Sequence, residues 1–191
     1  MKKLLIILFI SSLSSILFGQ SDTAKYYALS DTTLWVDKTF IIDNILFELS
    51  GPPDGLVHNP ESLDSIVSFL IKNPKLIIEI DCHTDNITIP FTNDTLSYWR
   101  ANSVRAILID KGISSERLFA VGYGSRRPRI IYKKTTFTLN NNHYTNCLNP
   151  ITFLQNTVLD ENFINSIHDY CTKKAAHSLN RRIEMKIIKM E

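Results

Sequence analysis

LIIEIDCHTD, residues 76–85, is the stretch on which the reading of this sequence turns. Leu76, Ile78 and Ile80 alternate with Ile77 and Glu79, the two-residue period of a strand with one face in a core. The strand delivers the chain to Cys82, His83, Thr84 and Asp85. Upstream, Asn59 and Pro60 open a helix whose Leu63, Ile66, Val67, Leu70 and Ile71 recur at three- and four-residue spacing until Asn73-Pro74 stops it. Downstream, a second helix is expected from near Asn93 to Gly112, with Pro90 in the loop before it, and RLFAVGYG at 117–124 reads as a glycine-closed strand. FIIDNILFEL at 40–49 reads as an earlier strand closed by Gly51, Pro52 and Pro53. In Arg181 to Met190, Ile183, Met185 and Ile187 share one parity and Arg182, Glu184 and Lys186 the other, a half-buried final strand. Helices packed on a β-sheet make the expected class α/β (α+β).

The remainder is organised around this unit. Residues 1–20, MKKLLIILFISSLSSILFGQ, have the basic start, short apolar run and small residue of a signal peptide, with cleavage expected near Gly19. The apolar run is interrupted by four serines and is shorter than the roughly 20 apolar residues of a membrane span. The expected plan is a signal peptide over 1–19, a polar lead-in over 20–40 that adds at most an edge strand, and one domain over 41–191 with an insertion at 129–179. Loops beyond about 15 residues are uncommon in compact domains, so the insertion is expected to be structured. Leu159, Phe163, Ile164, Ile167 and Tyr170 keep helical spacing there, behind Asp160 and Glu161.

With 191 residues, 44% hydrophobic and 21% charged, the chain is globular and too short for a large multidomain enzyme. Its formal charge of +2 vanishes once Lys2 and Lys3 are removed, so no global field favours nucleic acid. The basic run Arg126, Arg127, Arg129, Lys133 and Lys134 reads as a solvated edge or a contact for an acidic partner. Export would place three cysteines in an oxidising compartment. Cys147 and Cys171 both lie in the polar, irregular region and are the expected disulfide, with three unpaired thiols as the alternative.

One charge stands where a core residue belongs. At about 100° per residue, Leu96, Ala101, Val104, Ile107 and Leu108 fall within an arc of about 140°, and Arg100 falls inside it. A guanidinium cannot lose its charge and must find acceptors. Asn93, Ser97 and Arg100 line one edge of the helix, and Asp85 leaves the strand eight residues before Asn93. Two readings follow: a buried ion pair that fixes the fold, or two charges held apart to take a zwitterion, Asp85 its ammonium and Arg100 its carboxylate. Arg181 shares the inward parity of the final strand and is the third misplaced charge, with a solvent-reaching strand end as the alternative. Cys82, His83 and Asp85 make a poor metal site because alternation sends Cys82 and His83 to opposite faces. His58, His143, His168 and His177 are scattered and read as surface or satisfied polar residues. Without a nucleophile elbow, zincin motif or phosphate loop, no enzyme is expected and no cofactor is implied.

The segments IEIDCHTD (78–85), NDTLSYWRANSV (93–104), GISSERLFAVGYGSRRP (112–128) and NRRIEMKI (180–187) together resemble the OmpA-like peptidoglycan-binding domain. The resemblance implies a β-α-β-α-β two-layer sandwich on a mixed sheet, with the insertion before its last strand. It implies non-covalent binding of the diaminopimelate residue of the peptidoglycan stem peptide, in the periplasm, in association with the outer membrane or cell wall. Ligand-binding residues carried over by position are Asp85, Asn93, Arg100 and Arg181. Three features depart from the family pattern: Cys82 and Thr88 stand where it has glycines, and the segment after Pro128 is long. The alternative is an interaction module that keeps the fold, has lost wall binding and docks into an envelope complex through 129–179.

Overall fold

The computed structural model describes residues 26–42, 45, 47, 57–87, 90–139, 147 and 149–191. The expected signal peptide, Thr88 and most of 43–56 lie outside the described residues. In chain order the elements are β1 (Tyr26–Tyr27), β2 (Thr39–Ile42), α1 (Asp64–Lys72), β3 (Leu76–His83), α2 (Pro90–Asp110), β4 (Leu118–Gly124), β5 (Ile130–Ile131), β6 (Thr135–Phe137), β7 (Ile151–Phe153), β8 (Thr157–Val158), α3 (Glu161–Ser166), α4 (Tyr170–Asn180) and β9 (Arg182–Met190). No helix among the described residues is long and apolar enough to cross a membrane.

The main sheet has the order β1-β2-β9-β3-β4 and is mixed. β3 runs parallel to β4, because a long crossover through α2 joins them, and antiparallel to β9. The lead-in contributes β1, a two-residue edge strand parallel to β2. Ile78, Ile80 and Cys82 of β3 and Ile183, Met185 and Ile187 of β9 face Ile66 and Leu70 of α1 and Ala101, Val104 and Leu108 of α2, all at most 2% exposed. Each buried Ile, Leu, Val or Met side chain among them stabilises the fold by about 1.5–3 kcal/mol.

The structure corrects four expectations. α2 begins at Pro90, which serves as a first-turn residue and not as a loop residue, since its missing N–H has no helical partner to lose. The helix expected from Leu159 to Tyr170 is two helices: Asp160 caps α3 by accepting from Phe163 N at 2.8 Å, and Asp169 caps α4 by accepting from Thr172 N at 2.7 Å. Arg181 is the C-cap of α4 and not the first inward residue of β9, so it stands at the rim.

The final strand is also not half-buried. Arg182 and Glu184 are 7% and 3% exposed on the face away from the helices, beside Asp81 and His83 of β3. Tyr26 and the chain after Pro128 cover that face. The Tyr26 hydroxyl donates to Glu184 Oε1 at 2.8 Å, and Arg182 donates to the Arg127 carbonyl at 3.2 Å. Tyr132 packs edge-on against Tyr26.

Segment 129–179 holds β5 paired with β8, β6 paired with β7, and a second apolar cluster that includes Ile131, Phe153, Leu159, Ile164, Ala175 and Ala176. Cys147 and Cys171 are disulfide-bonded with Cα atoms 5.5 Å apart, and Cys82 is a buried free thiol.

Candidate functional site

Asp85 sits two residues past the end of β3, with 10% of its side chain exposed. Its Oδ2 accepts from Arg181 Nη1 at 2.5 Å and its Oδ1 accepts from Ile87 N at 3.2 Å. The backbone around it is pinned from two sides. Asn93 Nδ2 donates to the Asp85 carbonyl at 3.1 Å, and Thr84 N donates to the Gly124 carbonyl at 2.9 Å.

The seam between α2 and β4 sets this geometry. Ser97 is fully buried; its Oγ donates to the Asp94 carbonyl at 3.0 Å and accepts from Gly124 N at 2.9 Å. Gly124 takes a positive φ of 53°. Gly122 lies so close to α2 that a Cβ there would stand 2.7 Å from the Ser97 Oγ and the Tyr98 Cα. The absence of a side chain at 122 therefore lets α2 settle on the strand and bring Asn93 to Asp85.

Arg100 is half-buried about one turn beyond Ser97 and two turns beyond Asn93, its guanidinium 4.9 Å from the Phe47 ring centroid. Its charge is felt at Cys82, whose thiol burial pushes up to about 12 while Arg100 opposes the shift. The expected hollow between Asp85 and Arg100 takes a different form. The salt bridge at Asp85 is to Arg181, whose side chain is 36% exposed, whereas Arg100 lies over the Phe47 ring and acts on Cys82, three residues before Asp85. Around this rim Arg126 forms an ion pair with Asp94, next to Asn93, and Arg127 stacks on Tyr123 at 3.6 Å. The basic run is thus partly engaged with its own fold.

His177 differs from its expected role as a surface or satisfied residue. It is 7% exposed on the last turn of α4, and its Nδ1 finds no hydrogen-bond partner among the described residues. Burial lowers its pKa and the Asp85 carboxylate opposes that shift, while Arg181, Lys174 and Lys173 reinforce it.

Sequence reasoning missed the polar group behind the sheet. Donor atoms of Asp81, His83 and Glu184 lie within 4.8 Å of one another, all buried. Asp81 is directly opposite Glu184 in the β3–β9 register. Burial and the neighbouring Glu79 carboxylate push Asp81 up to about 8. Burial alone would also raise Glu184, but Arg182 at 2.7 Å, His83 and the Tyr26 hydroxyl together hold it below the usual carboxylate range. With Glu184 already committed to Arg182 and Tyr26, the group acts as a polar core that fixes β3 against β9. The signal was present in the alternation of Glu79, Asp81 and His83 opposite Arg182 and Glu184.

Residues 58–142 match the OmpA family. Over 64 residues the chain is 36% identical to outer membrane porin F of Pseudomonas fluorescens, a match covering 34% of this chain and 20% of the porin. The chain thus spans about a fifth of the length of the curated relatives it matches. Among solved structures, a putative MotB-like protein from Desulfovibrio vulgaris aligns with a TM-score of 0.46 at 16% identity, covering 80% of this chain and 74% of the other. The peptidoglycan-associated lipoprotein from Burkholderia pseudomallei aligns with a TM-score of 0.44 at 18% identity, covering 75% and 86%.

Proposed function

This chain carries an OmpA-family segment, residues 58–142, and on that premise we propose that it is a non-catalytic module that binds peptidoglycan from the periplasmic side of the cell envelope. The grip is on the zwitterionic diaminopimelate residue of the stem peptide. Asp85 takes the ammonium, Arg100 and Arg181 take the carboxylate, and Asn93 keeps the Asp85 loop in place.

The observation that carries this reading is the ion pair of Asp85 with Arg181 past the end of β3, with the Arg100 charge acting on Cys82 three residues before Asp85. The Arg181 side chain is 36% exposed, and in this reading it turns from Asp85 toward an incoming carboxylate. Counted alone, Asp85, Arg100 and Arg181 sum to one positive charge, so a ligand group must bring at least one carboxylate. An ammonium replaces Arg181 at Asp85, and the freed guanidinium donates bidentately to the ligand's carboxylate. The zwitterion is neutral, so the site keeps its single net positive charge while each ligand charge meets an opposite one.

The expected strength is modest. Charge-assisted hydrogen bonds contribute about 1.5–3 kcal/mol each. Association costs at least about 4 kcal/mol. A single site therefore binds in the micromolar to millimolar range, and a polymer with many copies holds the protein by rebinding.

Sedimentation with purified sacculi tests the reading: wild type pellets with the wall and Asp85→Ala/Arg100→Ala stays in solution. Folded wild type that never pellets would instead favour an interaction module docking through 129–179, whose Leu154 and Tyr170 are 68% and 60% exposed.

A further inference from the structure

Helix α4 lies beyond the family-matched residues, and one side of it carries charges that the grip on diaminopimelate leaves unused. Lys173, His177 and Arg181 stand at four-residue spacing and Lys174 three residues before His177, so all four share a side of the helix. The row ends at the site, where Arg181 holds Asp85.

Lys173 and Lys174 are half-buried, and neither has a carboxylate within ion-pair distance among the described residues. Lys174 rests 5.3 Å from the Tyr170 ring centroid. Both lie in the first half of α4, where the aligned peptide dipoles disfavour cations. The acid nearest in sequence, Asp169, is committed to the helix cap, accepting from Thr172 N and Oγ at 2.7 Å each. Folding alone therefore gives no reason for two cations here. His177 lies between them and Arg181 along the helix, its buried Nδ1 unpartnered among the described residues, and feels the charges of Lys173, Lys174, Arg181 and Asp85 together.

We propose that Lys173 and Lys174, with the His177 ring between them and Arg181, form a carboxylate subsite continuous with the Asp85 grip, so that the preferred ligand is a peptide with a second free carboxylate. The proposal rests on the wall-binding reading and assigns to the insertion one wall of the site. Eight residues of helix separate Arg181 from Lys173, about 12 Å. Allowing for the reach of the lysines, the second acid lies about two to four residues along an extended peptide.

The test compares two synthetic stem peptides that contain diaminopimelate: one with every carboxylate free, the other amidated at the carboxylate outside the diaminopimelate residue. Each is titrated by NMR at fixed low ionic strength into the disulfide-intact wild type, Lys173→Gln/Lys174→Gln, Lys173→Arg/Lys174→Arg and Asp85→Asn. Wild type should prefer the free acid about tenfold, equivalent to about 1.4 kcal/mol. The glutamine variant should lose that preference while binding the amidated peptide as wild type does, and the arginine variant should keep it. Equal binding of both peptides by wild type, or an undiminished preference in the glutamine variant, overturns the subsite and leaves the grip standing. No binding of either peptide by wild type, or no loss in Asp85→Asn, overturns both.

Discussion

Substituting Gly122→Ala probes the seam that assembles the site. The added Cβ would stand 2.7 Å from Tyr98 Cα and from Ser97 Oγ and would also meet the Tyr98 amide nitrogen. Comfortable carbon contacts are about 3.5–4.0 Å, so α2 must lift from β4 by about 1 Å. The obstructing atoms include backbone, which no rotamer change can clear. Overpacking of this kind costs about 1–3 kcal/mol, and a chain of this size loses about 2–4 °C in Tm per kcal/mol. The lift also pulls Ser97 Oγ from Gly124 N and Asn93 from the Asp85 carbonyl, so wall binding should weaken more than stability alone explains. Urea unfolding gives the first quantity and sacculus sedimentation of the folded fraction the second. Gly112→Ala is the control: no atom lies within 4 Å of its Cβ position, its cost comes from a φ of 94°, and binding should be untouched. A Gly122→Ala protein within about 0.5 kcal/mol of wild type, a change typical of a neutral surface site, would refute the close-approach reasoning.

Two further outcomes follow from the buried groups. Asp81 is protonated in the folded state up to about pH 8, because burial and the Glu79 carboxylate disfavour its charge, but ionises near 4 when unfolded. Its contribution is complete below pH 4 and is lost as pH rises toward 8, at up to about 1.4 kcal/mol per pH unit; Asp81→Asn should flatten that slope and gain stability at pH 8, and urea midpoints at pH 5 and pH 8 would show it. Replacing Cys147 and Cys171 by serine releases a loop of 24 residues and should cost about 3 kcal/mol. The loss should appear as easier proteolysis of 129–179, and unchanged proteolysis would mean the second apolar cluster holds the segment alone.

The main sheet and both of its helices were legible because their apolar residues follow one clear period each. Ile78, Ile80 and Cys82 repeat every second residue, and Ala101, Val104 and Leu108 every third or fourth. Arg100 and Arg181 stood out for breaking those periods. Their pairing did not: which arginine reaches Asp85 depends on where α4 ends, and the cap at Asp169 that starts α4 was hidden inside a continuous helical spacing from Leu159 to Tyr170. The buried polar face of β9 was misjudged for a related reason. Alternation gives the parity of Arg182 and Glu184, but only the tertiary placement of Tyr26 and of the chain around Arg127 removes them from water. His177 was read as a surface or satisfied polar residue because a lone histidine in a helix carries no periodic signal, and the influence of Asp85 on it comes from the fold.

The most direct measurement is a titration of the folded wild type with diaminopimelate or a muropeptide, followed by NMR at the Asp85 backbone and the Arg181 and Arg100 side chains. Saturable shifts at these groups in the micromolar to millimolar range, absent in Asp85→Asn, are the expected result. Resonances that stay still at high millimolar ligand would contradict the claim that an acid and two guanidiniums at the end of β3 hold a zwitterion.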